Sequence, residues 1–184
     1  MTNYVITGAP GAGKTAIVRQ LELDGYLVVE EAATDVIALE QARGHLEPHT
    51  RPGFIDAIVA LQRRRQQAAA RAGADIVFFD RSPVCTLALC RFLGHPEPAR
   101  LRAEVDRLAR SGSYERTVFF VRSLGFVTPT AARRISLADS LAFELVHERT
   151  YLELGFWLVD VPPGPLAERV DVVRREVTRT RPDR

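Results

Sequence analysis

Five short stretches of the chain are almost continuously apolar, and between them apolar residues recur at helical spacing. The stretches are residues 3–7 (NYVIT), 26–30 (YLVVE), 75–80 (DIVFFD), 117–122 (TVFFVR) and 156–161 (FWLVDV), each rich in Val, Ile or Phe. Such runs predict strands. Because they do not alternate apolar with polar residues, both faces must be covered, as in a parallel sheet between helical layers. Residues 14–23, 32–43, 54–72, 84–92, 99–109, 130–154 and 164–178 predict the helices. The stretches GHLEPHTRPG (44–53) and GHPEP (94–98) hold the breakers that predict loops. The pattern is that of a three-layer α/β fold with a five-stranded parallel sheet. Trp157 and the phenylalanine pairs at 78–79 and 119–120 are expected in the strand core.

Composition narrows the function classes. At 184 residues the chain supports one domain over its whole length, large enough to bury roughly 70% of its unfolded surface without a metal or disulfide staple. With 25 basic and 23 acidic side chains the net charge is +2, which argues against a dedicated nucleic-acid partner. Neither a signal-peptide pattern nor an apolar run long enough for a membrane span occurs, so a soluble, cytoplasmic protein is expected. Cys85 and Cys90 are expected as reduced core residues of one helix, and no histidine pair has the spacing of a helical zinc site.

One count bears directly on chemistry. Of the 25 basic residues only Lys14 is lysine; arginine serves everywhere else. Such a background keeps lysine where a compact ammonium does what the planar guanidinium cannot. Lys14 sits in Gly8-Ala9-Pro10-Gly11-Ala12-Gly13-Lys14-Thr15, followed by Ala16, which fits GxxxxGK[ST] between a predicted strand and a predicted helix. Glycines let backbone N–H groups surround phosphates, the helix N-terminus adds positive charge, Lys14 reaches the β- and γ-phosphates, and the Thr15 hydroxyl ligates Mg²⁺. This predicts a P-loop NTPase.

A second group must help hold the metal. Asp80 ends the strand IVFFD at the edge where ligands gather, and serves either Mg²⁺ or as a base; Arg81 beside it can bind an anionic group. Asp160 in FWLVDV is a rival acid without a charged or glycine-rich partner. Guanine specificity through NKxD is excluded, because the only Asn is Asn3 and the only Lys is Lys14. ATP is the expected nucleotide.

GAPGAGKT, the strand end FFDRS and the later AARRIS together resemble the nucleoside and nucleotide kinase branch of P-loop proteins, and the chain as a whole resembles small bacterial ATPases of an AAA-family, ATPase/kinase-like group. The resemblance implies a nucleotide-kinase-like fold with a helical lid at about 126–150 and an acceptor-binding side at about 32–72. Asp80 and Arg81 match the acidic-Arg pair that ends the third strand in thymidylate and deoxynucleoside kinases, facing metal and acceptor. Glu31 matches the carboxylate that approaches the acceptor hydroxyl as general base, with Glu30 its rival by one register step. Thr34 stands where related sequences carry an Arg. Arg133 and Arg134 fall at the lid, where an arginine closes over the transferring phosphoryl group.

On the acceptor side, Gln62 ends the apolar stripe Phe54, Ile55, Ile58, Val59 and Leu61, while Arg63, Arg64 and Arg65 read as a solvated face. Two functions remain in view for a monomer or homodimer: phosphoryl transfer from Mg-ATP to a small-molecule acceptor, or a regulatory switch timed by slow hydrolysis.

Overall fold

The computed structural model describes residues 1–127 and 135–180. Strands β1 (Thr2–Thr7), β2 (Leu27–Val29), β3 (Ile76–Asp80), β4 (Thr117–Val121) and β5 (Trp157–Val161) form one sheet in the order β2-β3-β1-β4-β5, every pair parallel. The connecting helices are α1 (Lys14–Leu23), α2 (Ala32–Ala42), α3 (Phe54–Ala72), α4 (Pro83–Phe92), α5 (Ala99–Ser111), α6 (Leu137–Glu153) and α7 (Leu166–Thr180).

Side-chain parity makes the layers. Tyr4, Ile6, Phe78, Phe119 and Val121 point to one face, where they pack against Ile17 and Leu21 of α1 and Val170, Val173 and Val177 of α7. Val5, Val77, Phe79 and Val118 point to the other, against Ala69 of α3, Val84 of α4, Leu108 of α5 and Tyr151 of α6. Both parities being buried is why the strands read as unbroken apolar runs. Ala32, Val36, Ile58, Leu87 and Leu101 build a further apolar cluster from α2, α3, α4 and α5.

Register then gathers the functional ends. Ile6 lies opposite Asp80 on one side and Phe119 on the other. The carboxyl ends of the three central strands therefore open together, at the crevice where parallel α/β sheets bind ligands.

The differences from expectation have physical causes. Trp157 is 70% exposed rather than core: it begins β5, the edge strand beyond which no further strand lies among the described residues. The expected helix 130–154 is described from Leu137, where the Ser136 hydroxyl accepts from the Asp139 N–H at 3.0 Å and caps it. Of the expected lid, α6 packs on α4 and β5. Cys85 and Cys90 are buried free thiols of α4, as expected. No helix among the described residues is long and apolar enough to cross a membrane.

Candidate functional site

The phosphate loop is built by backbone demands before side chains enter. At Gly8, φ is +135° and a Cβ would overlap the Val121 carbonyl oxygen, so only glycine lets β1 leave the sheet beneath the end of β4. Gly13 occupies the N-cap position of α1 with φ +81° and offers no side-chain acceptor. The first N–H groups of α1 thus have no side-chain cap and can serve an anion, aided by the helix dipole. Lys14 is 5% exposed and its Nζ donates to the Ala9 carbonyl at 2.7 Å, inside the loop.

Thr15 and Asp80 line a common cavity of about 240 Å³ with Glu30, Glu31, Thr34 and Asp35. One hydroxyl and one carboxylate suit Mg²⁺, which prefers oxygen donors and completes its octahedron with phosphate oxygens and water. Among the described residues no group of three or more His, Cys, Asp or Glu could hold a metal. A metal there would depend on the oxygens of a bound nucleotide.

Arg81 is the only non-glycine residue with positive φ among those described, at +72°. Its N–H donates to the Ile6 carbonyl at 3.0 Å, and Ser82 then caps α4 by accepting from the Val84 N–H at 3.2 Å. Buried polar contacts hold that corner: Ser82 Oγ meets the Tyr151 hydroxyl at 2.7 Å, and Cys85 Sγ meets the same hydroxyl at 3.0 Å and Thr7 Oγ1 at 3.1 Å. Held in this turn, the Arg81 guanidinium points inward to two partners. Its Nε faces Glu31 Oε1 at 2.5 Å, and its Nη1 contacts His147 Nε2 at 3.1 Å. Burial is the largest influence on the Arg81 charge and opposes it, but Glu31, Cys85 and Asp80 together outweigh burial and raise its pKa.

His147 is fully buried on α6, its ring 4.1 Å from that of Phe143, with Nδ1 3.1 Å from the Phe143 carbonyl. A carbonyl only accepts, so Nδ1 carries the proton and Nε2 offers the lone pair to Arg81. Burial first, then the Arg81 and Lys14 charges, drive the imidazole pKa well below its ordinary value and keep it neutral.

Glu31 begins α2, and its second oxygen accepts from Thr34 Oγ1 at 2.9 Å. Glu30 is exposed, and its carbonyl accepts from Arg65 at 2.9 Å. Of the two acids, Glu31 is the one paired with Arg81. The pair lines a cavity of about 200 Å³ with Pro10 of the phosphate loop, Gln62, Thr86 and Phe143. Thr86 Oγ1 donates to Gln62 Oε1 at 3.0 Å, and Ser140 of α6 donates to the Pro10 carbonyl at 2.7 Å. Asp160 is half-exposed and held by Arg122 at 2.8 Å, away from this cavity's lining. Two of the three arginines expected on a solvated face are engaged, Arg63 with Glu104 at 2.6 Å and Arg65 with Asp35. Arg133 and Arg134 lie outside the described residues.

A family model described as AAA domain matches residues 3–169. The chain belongs to that family. No curated protein matches the sequence. Among solved structures, this AAA-domain chain is similar to deoxyadenosine kinase from M. mycoides. With the products dCMP and a flexible dCDP bound, that structure gives a TM-score of 0.62 at 14% identity over 97% of this chain and 100% of that one. With dCTP bound it gives 0.60 at 13% over 97% and 100%, and with dATP bound 0.56 at 14% over 96% and 100%. Identities this low establish the fold alone, the five-stranded parallel sheet flanked by helices. The AAA-domain model thus shows the family, and the structures show the fold.

His147 is the site residue that sequence reasoning passed over. Its signal was present: Ser140, Phe143, His147, Thr150 and Tyr151 recur at helical spacing and form the buried face of α6. An imidazole in such a stripe needs partners for both nitrogens, which only the folded chain identifies.

Proposed function

We propose that the protein is a phosphotransferase that moves the γ-phosphoryl of Mg-ATP to a hydroxyl or phosphate of a small acceptor of the nucleoside or nucleotide class. The observation that carries this reading is the cavity lined by Glu31, Arg81 and Gln62, which shares Pro10 with the phosphate loop and so offers room for an acceptor next to that loop. A hydrolytic switch has no use for a second lined cavity at that place. The deoxynucleotides bound in the similar kinase structures support an acceptor of this class.

In this reading the loop of Gly8 through Ala16 cradles the triphosphate, and Lys14 leaves the Ala9 carbonyl to reach the β- and γ-phosphates. Mg²⁺ held by Thr15 and Asp80 would neutralise charge on those oxygens. The acceptor enters between α2 and α4, with Gln62 and Thr86 offering hydrogen bonds and Phe143 an apolar wall. Arg81 turns from Glu31 to the acceptor oxygen or phosphate. The released Glu31 carboxylate then takes the hydroxyl proton as the new O–P bond forms and the β–γ bridge breaks. Arg133 or Arg134 supplies positive charge to the transferring phosphoryl group.

The test is ADP release from Mg-ATP with pooled nucleosides, nucleotides, sugars and aminoglycosides, with Lys14→Ala as control. Stimulation by a nucleoside or nucleotide pool, absent in Lys14→Ala, is the expected result. A slow Lys14-dependent rate that no pool accelerates refutes transfer and favours the regulatory ATPase.

A further inference from the structure

Arg169 lies near the start of α7 and is 4% exposed. A buried guanidinium normally faces a carboxylate, because an uncompensated charge is costly to remove from water. Arg169 has no such partner among the described residues: burial is the only influence on its pKa, which it lowers. The acids beside it in sequence look elsewhere. Asp171 is exposed and pairs with Arg174 at 3.1 Å, and exposed Glu168 has its carboxylate beside Gly164. Its place near the positive end of the α7 dipole adds to the cost.

What Arg169 does hold is backbone. Its Nη2 donates to the Ala12 carbonyl at 2.6 Å and reaches the Arg122 carbonyl at 3.4 Å, while Nε is buried without a hydrogen-bond partner. The phosphate loop is shaped to admit it: a Cβ at Gly13 would stand 2.6 Å from Arg169 Nη1. Gly13 therefore serves two ends, a positive φ and room for a guanidinium against the loop.

The Ala12–Gly13 peptide is trans, so its carbonyl and its N–H point in opposite directions. A cation on the carbonyl polarises the peptide and strengthens the N–H as a donor on the far side. We propose that Arg169 is a positioning residue of the phosphate loop, a second buried cation acting through the Ala12–Gly13 peptide, whose missing counter-charge is the polyphosphate of the bound nucleotide. The inference rests on the proposed reading only in taking the loop's anion to be a nucleotide. It explains why the chain tolerates a buried charge with no acid beside it among the described residues, at a place where no substrate atom need touch it.

The experiment compares wild type with Arg169→Met, Arg169→Gln and Arg169→Lys, by calorimetric titration with Mg-ATP, Mg-ADP and AMP and by melting without nucleotide. Loss of one charge-assisted contact is expected to weaken Mg-ATP binding about tenfold or more in the two neutral variants. Mg-ADP should lose less and AMP least, and nucleotide-free melting should be unchanged or raised. Arg169→Lys, which keeps the charge, should recover most of the Mg-ATP affinity. Three results overturn the proposal: affinities within twofold of wild type, equal loss for all three ligands, or neutral variants that fail to fold with or without Mg-ATP. A wild-type chain that binds ATP but phosphorylates no acceptor removes the kinase reading and leaves this one standing; charge-independent loss in a working kinase does the reverse.

Discussion

Replacing Glu31 by Gln leaves the Arg81 guanidinium in place opposite a neutral amide. The two side chains are 9% and 17% exposed and meet at 2.5 Å, so the guanidinium has little water to turn to. Breaking a buried pair from one side costs about 3–5 kcal/mol. His147 still accepts from Arg81 and the site at position 31 admits some solvent, which puts this case near the lower end, about 3 kcal/mol. In a chain of this size that is a fall in melting temperature of about 6–12 °C. Arg81→Gln should cost less, since the carboxylate it frees retains the Thr34 hydroxyl. The double variant removes both charges and should be more stable than the sum of the single losses, with a coupling of about 2 kcal/mol. Urea and thermal unfolding of the four proteins measure this directly. Losses that add within about 0.5 kcal/mol, or a Glu31→Gln protein as stable as wild type, refute the pairing.

Further outcomes follow from single positions. Gly8→Ala should cost about 3 kcal/mol or more from backbone overlap and a forbidden φ, whereas Gly25→Ala, at φ +91° with nothing within 4 Å, should cost about 1 kcal/mol; chemical denaturation separates the two. Neutral His147 should make stability fall with acid. The unfolded imidazole takes up a proton below its ordinary value of 6.5 and the folded one does not, so wild type should lose about 1.4 kcal/mol between pH 7.5 and 5.5 from this group, and His147→Phe should lack that component in parallel melts. Trp157→Thr, on an exposed edge, should leave stability within about 0.5 kcal/mol; a larger fall would mean that the indole is covered after all.

How much the sequence discloses depends on how far apart the cooperating residues lie. The strands were legible because burial on both faces writes itself as an unbroken apolar run, and Phe54–Ala72 because its apolar stripe and flanking glycines mark both ends. Trp157 misled because an apolar letter says nothing of strand order, and order alone makes β5 an edge. The phosphate loop was legible because its chemistry needs fixed spacing within eight consecutive residues. The Arg81 cluster joins Glu31, Arg81 and His147, the last two 66 residues apart, and no periodicity relates them. Glu31 could be read only against Glu30, and one register step separated them until the turn into α2 placed Glu31 on Arg81. Arg169 left no trace, since a buried arginine bonded to carbonyls follows no residue pattern.

In the proposed reaction a γ-phosphoryl leaves ATP for an acceptor seated beside Glu31 and Arg81. Its path can be followed with γ-labelled ATP, purified protein and the stimulating nucleoside or nucleotide pool. The label should appear on the acceptor, at a rate lost in Lys14→Ala and strongly reduced in Glu31→Gln. Label found only in inorganic phosphate, at the same rate with and without every pool, would contradict it.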